Sequence, residues 1–120
     1  MFELWDAGTG ELLAVTAGYG CGRCFHDYSM RALVRDKRSA GHVLTKVVAR
    51  VLRDCGYSIW YWGYKLGYML DLERGGFGRE FERAEFWTRW EAGLTAGEPS
   101  EPVRGFVESG KALVAPLGAA

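Results

Sequence analysis

The run from Arg38 to Gly63 constrains the fold more than any other part of the chain, because it spells out a loop, an amphipathic helix and a buried strand in succession. Ser39 stands where an N-cap residue belongs, and Gly56 stands where a left-handed residue closes a helix. Lys46, Arg50 and Arg53 place positive charge in the later turns, where the helix dipole favours it. Leu44, Val47, Val48, Val51, Leu52 and Cys55 recur at the 3.6-residue period, so one stripe of the helix faces a core. The strand that follows, 57 to 62, is aromatic on both faces: Tyr57, Trp60, Tyr61 and Trp62 suit a strand covered on two sides.

Upstream, Phe2 to Trp5 and Glu11 to Tyr19 read as a hairpin around the turn Asp6-Ala7-Gly8-Thr9-Gly10. A further break at Gly20 to Arg23 leads into Cys24 to Met30, so three consecutive antiparallel strands precede the helix. Ala14, Ala17, Gly18 and Gly20 thin the middle strand, which signals close backbone approach or a bulge. Downstream, Tyr64 to Glu73 reads as a short helix stopped at Gly75-Gly76, Gly78 to Glu82 as a brief strand, and Ala84 to Ala92 as a last helix ended by Gly93. The expected fold class is α+β, or mixed α/β, with the order β-β-β-α-β-α-β-α and helices packed on a single sheet. Residues 1–94 make the domain, and residues 95–120, rich in Gly, Pro and Ala without periodicity, read as a tail that is mobile or lies on a partner.

With 120 residues, 48% of them hydrophobic, there is room for one core. The 15 basic and 15 acidic side chains cancel, so no whole-molecule field draws the chain to nucleic acid or to an anionic surface. No apolar run approaches the roughly twenty residues of a membrane-spanning helix, and the start lacks the pattern of a signal peptide. Three cysteines, an odd number, suit a reducing compartment, and a soluble cytoplasmic protein is expected.

Four groups of residues could carry chemistry. Arg38 and Gly41 flank Ser39 at the start of the helix, where unpaired N–H groups favour an anion. Cys21-Gly22-Arg23-Cys24 with His26 has C-x-x-C spacing, but the remaining candidates, His42 and Cys55, sit far apart on the helix, so structural cysteines around a turn are expected and no metal. The aromatic strand could stack a base or line an acyl pocket, against the plainer reading of core. His26, Asp27 and Ser29 suggest a triad only superficially, because adjacent strand residues point to opposite faces.

Phe2-Glu3-Leu4-Trp5, Gly10 to Ala14, Tyr19-Gly20, Phe25 to Met30 with its Ser29-Met30 pair, Ser39-Ala40, Cys55-Gly56 and Arg83 to Phe86 occur in an order and spacing that resembles one family. It is the C-terminal, GNAT-type domain of the bacterial leucyl/phenylalanyl-tRNA-protein transferases, and the resemblance covers Phe2 to about Leu94. It implies transfer of leucine or phenylalanine from the 3′ end of an aminoacyl-tRNA to the N-terminal amine of a protein, marking that protein for degradation, without a cofactor. Tyr28, Ser29, Met30, Ser39, Trp60 and Trp62 would line the substrate site and Asp27 would be the catalytic carboxylate. Tyr28 stands where the family has an acidic residue, and Trp60 and Trp62 stand where it has an Asp and a Gln. Two other readings use the same fold. One is a non-catalytic module whose aromatic strand and open first edge meet another protein or a second copy. The other is a coenzyme A-dependent N-acetyltransferase, for which Arg38 and Gly41 fit the phosphate-loop pattern and Val43 does not.

Overall fold

A computed structural model describes residues 1–63 and 67–109. Its single sheet contains β1 (Phe2–Trp5), β2 (Leu12–Cys21), β3 (Cys24–Ala32) and β4 (Ile59–Tyr61), in that spatial order. The first three strands are antiparallel, and β4 runs parallel to β3, pairing Cys24 with Ile59 and His26 with Tyr61. A parallel neighbour requires a crossover, and α1 (Ala40–Asp54) supplies it. The α+β class and the β-β-β-α-β opening agree with the sequence.

α1 buries Leu44, Val48, Val51 and Leu52 as its periodicity demands. With Leu13, Ala14 and Phe25 from the sheet, Leu44, Val48 and Leu52 form the main core. Its C-terminus is closed by Gly56 at φ +89°, with Gly56 N–H donating to the Arg53 carbonyl at 3.0 Å and Tyr57 N–H to the Leu52 carbonyl at 2.9 Å. These two bonds satisfy carbonyls that the helix itself leaves free. Ser39 occupies the N-cap position but makes no side-chain cap, and its backbone is left-handed at φ 50°. Its expected capping bond is therefore absent, while its carbonyl accepts from Val43 N–H at 3.1 Å.

Beyond β4, a 3₁₀ turn (Gly67–Met69) runs into α2 (Leu70–Arg74), and Gly76 at φ +77° ends it as expected; residues 64 to 66 of the anticipated helix lie outside the described residues. The brief strand expected at Gly78 to Glu82 is not formed. Arg79 instead lies over the Phe81 ring and bonds Glu85, so this stretch is tied to the start of α3 (Arg83–Thr95) rather than to the sheet. Gly93 does not end α3: it lies buried within it, against the Cys24 thiol and the Ser58 hydroxyl, where any β-carbon would collide. The glycine serves close packing, not termination. Within the stretch from residue 95 expected to be mobile or to lie on a partner, a further helix forms and packs on the domain. α4 (Val103–Glu108) buries Phe106 against Val51 and Cys55 of the α1 end, and Ser100 and Glu101 both donate to the Cys55 carbonyl. Residues 110 to 120 of the expected tail lie outside the described residues.

Candidate functional site

The site begins with a strand irregularity. In the β2–β3 ladder Ala17 pairs with Ser29 and Gly18 with Asp27, which leaves Tyr28 as an inserted residue. Such a bulge reverses the alternation of faces. Before it, Phe25 and Asp27 point to the α1 side; after it, Met30 does so as well, receiving the Thr45 hydroxyl at 3.2 Å from α1. Strict alternation would put Asp27 and Met30 on opposite faces. The bulge is permitted by Gly18, where a β-carbon would strike the His26 carbonyl and the Phe25 ring.

Because β4 stops at Tyr61 while β3 continues to Ala32, a cavity of about 240 Å³ opens past the end of their pairing. Asp27, Tyr28, Ser29, Met30, Trp60 and Trp62 all line it, together with Thr45, Met69 and Leu72. Six of the seven residues expected to form the substrate site and its carboxylate are thus brought together from two strands and a loop. Ser39 is not among them: it lies before the first turn of α1, while the cavity meets that helix at Thr45.

Among the described residues Asp27 is the only carboxylate lining this cavity. Burial pushes its carboxyl above the ordinary range, opposed in part by the Thr16 hydroxyl and by the charge of His26. Thr16 Oγ1 lies 2.6 Å from Asp27 Oδ1 and 3.1 Å from the Ser29 carbonyl, and Thr16 itself is only 1% exposed. Sequence reasoning missed Thr16. Its signal was present in the pattern, as a hydroxyl between apolar residues of a central strand, a position that needs a polar partner. The indole N–H groups of Trp60 and Trp62 are buried with no hydrogen-bond partner among the described residues, and the two rings meet edge to face at 5.2 Å.

No family model, curated protein or solved structure matches this chain. The chemistry of the site has to be read from its own atoms.

On the opposite face of the sheet, His26 is surrounded by Tyr19, Tyr28, Tyr61 and Trp90, with ring centroids 4.8 to 6.4 Å away. It therefore does not join Asp27 and Ser29 in a triad. Cys21 and Cys24 face each other across the two-residue turn Gly22-Arg23, and Cys24 is sealed under α3 with its thiol 3.4 Å from the Trp90 carbonyl. Among the described residues no three His, Cys, Asp or Glu side chains gather as a metal site would require.

Arg38 is committed elsewhere. Its guanidinium bonds Asp6 at 3.0 Å, Asp36 at 2.8 Å and Glu11 at 3.4 Å, tying the loop before α1 to the β1–β2 turn. An anion at Arg38 and Gly41 would have to displace three carboxylates, which removes the support those residues gave to an anion site or a coenzyme A phosphate loop. A second, larger groove of about 1190 Å³ runs along the outer edge of β4, between the end of α1 and residues 69 to 87. No helix among the described residues is long and apolar enough to cross a membrane.

Proposed function

We propose that the domain transfers an aminoacyl group onto a protein α-amine, as the leucyl/phenylalanyl-tRNA-protein transferases that its sequence resembles do, and that Asp27 is the proton acceptor. One observation carries this reading: a half-buried carboxylate lies in a cavity lined by the Ser29-Met30 pair and by Tyr28, Trp60 and Trp62, which stand at the positions of the family's site with other side chains. The three antiparallel strands, crossover helix and parallel fourth strand support a GNAT-type domain.

Tyr28 occupies the family's acidic position, but the preceding residue, Asp27, faces the α1 side, and the bulge brings Met30 onto that same face, so both line one cavity. A carboxylate one residue earlier in sequence can then serve the same space. An α-amine with an ordinary pKa of about 7.7–8.0 is mostly ammonium at neutral pH and cannot attack until it gives up a proton. Asp27 takes that proton, and the freed nitrogen lone pair forms the C–N bond to the ester carbonyl. The ester C–O bond breaks, the amine's second proton leaves on the ribose oxygen, and Asp27 returns its own to solvent. A carboxyl whose pKa is raised by burial is the stronger base for this step. Met30, Trp60 and Trp62 line the cavity with apolar surface that suits a leucyl or phenylalanyl side chain.

The test is a transfer assay with leucyl-tRNA or phenylalanyl-tRNA and a peptide that starts with Arg. Transfer that Asp27→Asn abolishes is the expected result; no transfer at any protein concentration overturns the reading.

The groove along β4 favours a second reading, a protein-interaction module. That strand's outer edge carries no neighbouring strand among the described residues, and an extended peptide could add to it. A chain that stays monomeric and retains no peptide argues against this alternative.

A further inference from the structure

We infer that Thr16 is the positioning residue of the Asp27 carboxyl, its hydroxyl turning between Asp27 and the Ser29 carbonyl as Asp27 loses and gains a proton. The inference rests on the reading of Asp27 as proton acceptor, but the geometry that carries it is independent of the substrate.

A hydroxyl has one proton to donate and two lone pairs to accept with. Thr16 Oγ1 has two acceptors within reach, Asp27 Oδ1 at 2.6 Å and the Ser29 carbonyl at 3.1 Å, and it can serve only one at a time. With Asp27 ionised, the hydroxyl donates to Oδ1, and 2.6 Å lies in the range of a charge-assisted O–H···O⁻ bond. With Asp27 neutral and its proton on Oδ1, the carboxyl donates to Thr16 Oγ1, and the Thr16 proton turns to the Ser29 carbonyl. The pair keeps a hydrogen bond in both states, so neither state leaves a buried polar group stranded.

Three features make this a built arrangement. Thr16 is held in a central strand under α1 at 1% exposure, and its β-branched side chain has little rotameric freedom there. The bulge at Tyr28 sets the Asp27 carboxyl and the Ser29 carbonyl on either side of one hydroxyl. The chain also contains neither Asn nor Gln, so no side-chain amide anywhere in it can orient this carboxylate.

The ionisable surroundings of Asp27 are few. His26, its neighbour on β3, favours the ionised form when charged. Tyr28 borders the cavity, with its ring turned toward His26 on the other face; among the described residues α1 presents Thr45 to the cavity, α2 Leu72 and the end of β4 its two indoles, none of which titrates as an acid or base.

The experiment follows the Asp27 carboxyl by ¹³C NMR in protein labelled at Asp, with Asp27→Asn to assign the signal. Thr16→Val keeps the shape and deletes the hydroxyl; Thr16→Ser restores it, and Thr16→Ala repeats the deletion should valine disturb the fold. The expected result is an upward shift of the Asp27 titration in the Val and Ala variants, a return toward the wild-type curve in Ser, and a matching upward shift of the acid limb of the transfer-rate profile. An Asp27 titration unmoved by loss of the hydroxyl overturns the inference. If the titration shifts while wild-type protein transfers nothing, the Thr16–Asp27 pair stands and the transferase reading falls.

Discussion

Ser100 Oγ donates to the carbonyl of Cys55 at 2.9 Å, joining the segment after α3 to the last residue of the α1 cap. Glu101 N–H reaches the same carbonyl at 3.3 Å, and five residues later Phe106 is buried against Val51 and Cys55. The end of α1 is thus covered by residues that carry no periodic signal of their own. Phe106→Ala should cost about 3 kcal/mol, the lower end of what deletion of a buried phenyl ring removes. Urea denaturation followed by tryptophan fluorescence measures it. A loss below about 1 kcal/mol, within the range of surface substitutions, would mean that α4 adds little to the fold.

Gly56→Ala tests the same junction from the other side. At φ +89° a β-carbon is strained, and here it would also press against the Ser100 hydroxyl. A side chain in the left-handed region costs about 1–2 kcal/mol even in open space, so the crowded site should lose more. Gly76→Ala is the control: its φ of +77° is similar, but none of the described residues beyond its chain neighbours lies within 4 Å of the added carbon. Equal losses would show that backbone strain alone decides the effect.

Arg38 and its carboxylates predict a selective change on acidification. Asp36 is held below the usual carboxylate range chiefly by the Arg38 side chain, whereas Asp6 is held down chiefly by the Thr9 and Gly8 N–H groups. A depressed carboxyl contributes stability that is present above the unfolded value near 3.8 and is lost as the pH falls through the folded one. Arg38→Ala should therefore return Asp36 toward its ordinary titration and leave Asp6 lowered. Carboxyl NMR titration of the two residues separates them, and parallel upward shifts would contradict the assignment.

How much of this was legible in the sequence depends on the range of each cause. α1 could be read because its stripe and Gly56 are local, and the opening strands because turn residues separate them. The convergence of Asp27 through Met30 with Trp60 and Trp62 came through the resemblance, not through periodicity. The bulge was only half legible. Gly18 signalled that the middle strand was thinned, but an inserted residue on β3 is defined by its register against β2, which no single strand displays. Thr16 was missed for the same reason, since its partners lie 11 and 13 residues away. α4 escaped because six residues are too few to show a helical period, and Phe106 finds its partners on α1.

The Asp27 carboxyl gives a final test in which stability and function move in opposite directions. Burial raises its pKa in the folded chain. Between the unfolded value and the raised one, the native state holds more proton than the unfolded state, so stability falls as the pH rises through that window and stays lower above it. Asp27 in its ionised form is then a destabilising residue at neutral pH. Asp27→Asn removes the half-buried charge and still accepts from Thr16 through its side-chain oxygen. The variant should be no less stable than the wild type at pH 7, and it should lose the decline between the ordinary carboxylate range and neutrality. Thermal melts of both proteins across that range measure the difference. A carboxylate kept where it weakens the fold is what a base in a desolvated site looks like. A variant that is instead about 1 kcal/mol or more less stable at pH 7 would make Asp27 a structural partner of Thr16 and remove the reason to place proton transfer there.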